Sequence, residues 1–145
     1  MKSRIYAWAL FAAILALTMG TAMAQGETNS TESKITITGA SFVAPSPEKE
    51  NLDGEWVEVA NQGDGDENLA GWTLSDEQNH TYTFPDFVLA AGASVKIHTG
   101  SGSDTDKDLY WSRTSSVWNN SGDLATLLDA AGKVVARYPE ESKGS

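Results

Sequence analysis

The 145-residue chain contains no cysteine. That absence excludes disulfide staples, a thiol nucleophile, thiolate metal ligands and a cysteine-borne lipid anchor. Stability must then come from an apolar core. Histidine is nearly as scarce: only His80 and His98 occur, with no recognised two-histidine metal spacing, and no Gly-x-Ser-x-Gly elbow is present. No enzyme is expected from this inventory, and both histidines read as ordinary surface residues. Cations are the third shortage, with 10 Lys and Arg against 20 Asp and Glu, a formal charge of −10. Lys34, Lys49, Lys96, Lys107, Arg113, Lys133, Arg137 and Lys143 are scattered, so no basic stripe is offered to a phosphate backbone and nucleic acid is not an expected partner. The acidity itself suits solubility outside a cell.

Long apolar runs are also missing, with one exception at the N-terminus. Lys2 and Arg4 form a basic start, residues 5–19 are apolar, and Ala22-Met23-Ala24 offers a small-residue cleavage site. The pattern predicts a signal peptide cut after Ala24, and hence a secreted or cell-surface protein. The competing reading is an uncleaved anchor, since residues 5–24 approach the length needed to span a bilayer; membrane contact is expected by that route alone. Removing Lys2 and Arg4 leaves 8 basic against 20 acidic residues, a charge of −12. The expected organisation is a signal peptide over 1–24, a polar linker over 25–33, one domain over 34–139 and a polar tail over 140–145. A domain of about 110 residues buries roughly two thirds of its unfolded surface, which suffices without staples.

Within the domain no window carries a helical apolar stripe, and turn residues interrupt the chain every eight to twelve positions or so, the spacing of an all-β sandwich. Residues 34–43 predict a first strand with Gly39 as a bulge or close-packing point. A loop over 44–54 follows, marked by Pro45, Pro47 and Asp53-Gly54. In Glu55-Trp56-Val57-Glu58-Val59, alternation puts Val57 and Val59 inward and Trp56 outward, in a polar neighbourhood of Glu55 and Glu58. Residues 61–68 read as a Gly- and Asp-rich loop and 69–75 as a third strand, where Gly71 would let another backbone or ring approach Trp72. Tyr82-Thr83-Phe84 is a short strand stopped by Pro85, and residues 94–98 form another with Val95 and Ile97 inward. Leu109-Tyr110-Trp111 and Val117-Trp118 are shorter pieces. Asn119-Asn120-Ser121-Gly122-Asp123 is a polar turn; residues 124–129 and 133–138 then form a hairpin whose connection, Ala130-Ala131-Gly132, suits a type I turn with a left-handed glycine.

Two loops carry oxygen ligands at alternate positions: Asp64-Gly65-Asp66-Glu67-Asn68 and Asp104-Thr105-Asp106-Lys107-Asp108. Asp64, Asp66, Asp104, Asp106 and Asp108 are therefore candidate ligands for calcium, a hard cation. Neither loop completes an EF-hand: from Asp104 the glycine and glutamate positions hold Leu109 and Ser115, and from Asp64 they hold Leu69 and Ser75. Solvated acidic turns are the plainer reading, and no other cofactor is expected. Asn29, Asn79 and Asn119 begin short glycosylation sequons of the kind an Asn-, Ser- and Thr-rich chain contains by chance.

Taken in order, Glu55-Trp56-Val57-Glu58-Val59-Ala60-Asn61, Asn68-Leu69-Ala70-Gly71-Trp72-Thr73-Leu74-Ser75-Asp76, Tyr82-Thr83-Phe84-Pro85, residues 89–95, His98-Thr99-Gly100-Ser101-Gly102, Leu109-Tyr110-Trp111 and residues 117–132 resemble the lamin-tail domain. One departure is Ala91, where the family pattern often has proline. The resemblance implies an immunoglobulin-like antiparallel β-sandwich that serves as a non-catalytic module binding proteins or attaching to larger surface machinery. It also implies that the motif positions serve the sandwich. On that view Trp72, Phe84, Leu89, Val95, Ile97, Trp118 and Leu127 are core, each contributing about 1.5–3 kcal/mol on burial.

The expected function is a secreted or cell-surface, non-enzymatic interaction module that binds an envelope or extracellular protein through sheet edges or loops. With no hydrolase or filament rod beside it, the module is expected to act alone, by oligomerising, or by recruiting a partner. The alternative is a carbohydrate-binding module, calcium-assisted in one version, with Trp56, Tyr110 and Trp111 as aromatic candidates for polysaccharide. The resemblance assigns Trp56 to the core or a sheet edge. Tyr110 and Trp111 are the stronger pair, because consecutive strand residues face opposite ways and one ring can be exposed.

Overall fold

The structure is a computed structural model and describes residues 33–140. The expected signal peptide, all of the linker but Ser33, and residues 141–145 of the tail lie outside the described residues. Ten strands follow one another: β1 (Ile35–Ser41), β2 (Trp56–Asn61), β3 (Glu67–Asn68), β4 (Thr73–Ser75), β5 (Thr81–Thr83), β6 (Val88–Leu89), β7 (Ser94–His98), β8 (Asp108–Tyr110), β9 (Ala125–Leu128) and β10 (Val134–Tyr138). Between β1 and β2 the proline-marked loop winds into two short 3-10 turns, Glu48–Glu50 and Leu52–Gly54.

The strands form two four-stranded sheets, ordered β1-β2-β7-β8 and β10-β9-β4-β5, with β3 and β6 as a separate ribbon. Alternation explains the packing. Ile35, Ile37, Val57, Val59, Val95, Ile97 and Leu109 from the first sheet meet Leu74, Tyr82, Ala125 and Leu127 from the second in one buried cluster. All seven expected core residues lie in it, from Leu127 at 0% exposure to Trp72 at 5%. The all-β sandwich is thus present, although one pair departs from an antiparallel arrangement. Strand β8 runs parallel to β7, with Lys96 opposite Asp108 and His98 opposite Tyr110. A tight hairpin cannot join parallel neighbours, and residues 99–107 provide the required crossover.

Turn chemistry places the elements with a few corrections. The β9–β10 hairpin closes as its sequence demands: Gly132 has φ +83°, its amide donates to Asp129 O at 2.9 Å, and Asp129 N donates to Lys133 O at 2.9 Å. The bulge expected near Gly39 occurs as a register shift between Ile37 and Gly39. The third strand is shorter than expected, because residues 69–72 form a turn in which Trp72 N donates to Leu69 O. Gly71 is required there by its φ of +79°, and the nearest atom to a Cβ at that position is Ala130 Cβ at an ordinary 3.7 Å, so close approach is not its role. The supposed loop 61–68 begins as the end of β2 and finishes as β3, and Val117-Trp118 is buried irregular chain instead of a strand.

The two sheets meet differently on their two flanks. On one, β1 lies against β10. On the other, β8 and β5 are the outermost strands, and the gap between them is filled by aromatic rings: Tyr82 meets Trp111 at 5.8 Å and Phe84 at 5.2 Å, and Trp111 meets Trp118 at 6.2 Å. Phe42 continues the array, stacked on Trp118 at 5.2 Å.

Candidate functional site

Glu55 is the main polar surprise. It is fully buried, on the same face as Val57 and Val59, and not in the outward polar neighbourhood expected of it. Its Oε1 accepts three hydrogen bonds, from Thr99 Oγ1 at 2.8 Å, Val117 N at 2.8 Å and Trp118 N at 3.0 Å. Oε2 has no hydrogen-bond partner. The carboxylate therefore pins the chain that crosses from the first sheet to the second, and holds Trp118 where its ring meets Trp111 and Phe42. Period-two alternation with Val57 was the available signal, masked because a glutamate is normally left in water.

The histidines are not free surface residues. The ring nitrogens of His98 lie 2.7 Å from Asp53 O and 2.7 Å from Asp108 Oδ1, tying the second 3-10 turn to β8, and the ring stacks on Tyr110 at 4.9 Å. His80 Nδ1 lies 2.7 Å from Oδ2 of buried Asp76, whose Oδ1 accepts from the amides of Gln78 and His80. Asn61, also buried, donates to Gly65 O and Leu89 O and accepts from Gly63 N, which fixes the acidic loop after β2.

The aromatic candidates separate as alternation requires. Trp56, His98 and Tyr110 stand side by side across β2, β7 and β8 on the outer face of the first sheet. Lys96 Nζ lies 4.1 Å from the centroid of the Trp56 ring. Tyr110 has His98 on one face, and a Cβ at Gly102 would come within 2.5 Å of its ring, so only glycine permits that approach. Trp111 turns the other way, into the gap between sheets, and remains half-buried. Beside this row an open cleft of about 400 Å3 is lined by Glu58, Lys96, Asp106, Lys107 and Asp108.

The five aspartates fall into their two loops, and several act within the fold. Asp66 Oδ1 accepts from Ala91 N at 3.0 Å, Asp104 Oδ1 accepts from Tyr110 N at 3.0 Å, and Asp108 meets His98. Asp64 and Asp106 are exposed. Among the described residues no group of three His, Asp or Glu side chains is placed to hold a metal ion.

Sheet edges offer the remaining chemistry. Thr105 N donates to Asp108 O at 2.8 Å, Asp108 N to Thr105 Oγ1 at 3.0 Å and Tyr110 N to Asp104 Oδ1, so the preceding loop folds back and occupies the outer side of β8. Edges β1 and β10 lie against each other. Among the described residues, no main-chain bond reaches the outer side of strand β5. Tyr82 is paired with Leu74, and the bonds Phe84 N to Trp72 O and Asp76 N to His80 O mark the same alternating set of bonded pairs. The amides and carbonyls of Thr81 and Thr83 consequently point away from β4. Both threonines are exposed. Next to them Tyr82 is buried, and its hydroxyl is pushed up to about 12 by desolvation first and by the charge of Asp104 second. The unoccupied edge was not legible in the sequence, since it depends on what packs beside β5.

A family model described as Lamin Tail Domain matches residues 28–141.

Proposed function

The chain belongs to the lamin tail domain family, and from that premise we propose that it is a secreted or cell-surface, non-enzymatic interaction module that takes an envelope or extracellular protein along strand β5. Export rests on the basic start, apolar run and Ala22-Met23-Ala24 site of the sequence. The observation that carries the binding mode is the outward-facing main chain of Thr81 and Thr83, on an edge that no described residue bonds to. An extended segment added there would satisfy those groups by continuing the ladder, the usual way in which a β-sandwich recruits a strand.

The test uses the protein in its exported form and its Thr83→Pro variant as baits for a detergent extract of the host envelope. Because the Thr83 amide faces away from β4, proline removes no bond within the sheet, while blocking addition of a strand. A saturable protein recovered by the wild type and lost with the folded variant supports the proposal. Retention of protease-resistant polysaccharide by both baits would instead favour the carbohydrate-binding alternative and direct attention to Trp56, Tyr110 and Trp111.

A further inference from the structure

Resting on that edge reading, we infer that the strand accepted by β5 is cationic: an extended segment of another protein with lysine or arginine on one face and apolar side chains on the other. The first part follows from charge. No lysine or arginine occurs between Lys49 and Lys96, the stretch that supplies β2 to β6, whereas residues 50–95 contain ten carboxylates. Exposed carboxylates flank β5 along the chain on both sides. The turn before Thr81 carries Glu77, whose amide is held by Asp123 Oδ1 at 3.2 Å, and the turn after Thr83 carries Asp86. An arriving segment with cations near its ends would meet carboxylates at both turns, and an acidic one would be repelled.

The second part follows from alternation. Side chains of an added strand point to the two faces of the sheet in turn. Those on the outer face would lie beside the hydroxyls of Thr81 and Thr83. Those on the inner face would lie beside Tyr82 and could cover the half-buried Trp111. A second copy of this chain is a poor occupant, because two molecules of charge −10 or below would have to join through edges flanked by carboxylates in the chain.

Three synthetic peptides test the inference: one alternating lysine and valine, and its glutamine and glutamate counterparts. Each is titrated into the exported protein while amide exchange is followed by NMR. The lysine peptide should slow exchange at Thr81 and Thr83 and bind about tenfold or more tightly than the glutamate peptide. That preference should shrink with added salt, and Thr83→Pro should abolish the protection at Thr81 while Leu74 and Tyr82 stay protected. Equal protection by all three peptides would overturn the cationic preference and leave the edge reading standing. No protection by any of them, or protection moved to β8 or β10, would overturn both. Protection that rises with protein concentration alone, together with dimer sedimentation, would put a second copy in place of the cationic partner.

Discussion

The two flanks of the sandwich are closed by different means. Where β1 meets β10, strand lies against strand, and the outer residues there include the exposed Val134. Where β8 faces β5, the sheets are bridged by rings, and the crossing chain is held by one buried carboxylate. The second flank concentrates its bridging in Glu55, Trp111 and Trp118. Such concentration makes the second flank sensitive to single changes.

Glu55→Ala should be the most damaging of these changes. It strands two buried amides and the Thr99 hydroxyl at once, and a loss of about 3–5 kcal/mol in urea unfolding is expected. Glu55→Gln keeps an acceptor at Oε1 and exchanges only the unpartnered oxygen, so its loss should be well under half as large. If the two variants were equally damaging, the acceptor would not be what closes this flank.

Removing a ring ranks next. Trp111→Ala deletes a half-buried side chain between Tyr82 and Trp118, and thermal unfolding should register about 2–3 kcal/mol. Tyr82 adds a pH dependence confined to this flank. Its hydroxyl is raised to about 12, so the neutral form is favoured by folding. The associated stability is fully present below about pH 10, the unfolded value, and is lost as pH rises through about 12. Alkaline unfolding should therefore cost the wild type about 2 kcal/mol through this group that Tyr82→Phe does not lose. Asp104→Ala should remove about 1 kcal/mol by freeing Tyr110 N, and should lower the midpoint of Tyr82 ionisation, read by ultraviolet absorbance. On the opposite flank, Val134→Thr should stay within about 0.5 kcal/mol of wild type, because Val134 is 39% exposed and bears on no single junction.

Several elements were readable in advance because their causes are local. The β9–β10 hairpin follows from Ala130-Ala131-Gly132, and the inward sets Val57/Val59 and Val95/Ile97 follow from alternation with period two. Gly71 misled because a glycine beside tryptophan suggests close approach, and only its backbone angle shows that a turn is the reason. His80 and His98 misled because their partners, Asp76 on the one hand and Asp53 with Asp108 on the other, become neighbours through folded loops. Of the ligand candidates, Asp66, Asp104 and Asp108 hold groups of the fold itself, while Tyr110 at the end of β8 and Trp111 just past it face opposite ways.

By itself the sequence determined the all-β class, the turns, the family pattern and the apolar residues of the core, since each rests on spacing within about ten positions or on side-chain hydrophobicity. Tertiary structure alone decided the parallel placement of β8 beside β7, the role of Glu55 and the exposure of the β5 edge. The bonds to Glu55 come from residues 44, 62 and 63 positions away, a separation that no local pattern encodes. An edge, likewise, is defined by what lies beside a strand in space: among the described residues, residues 104–105 bond to the outer side of β8, and no such bond reaches β5.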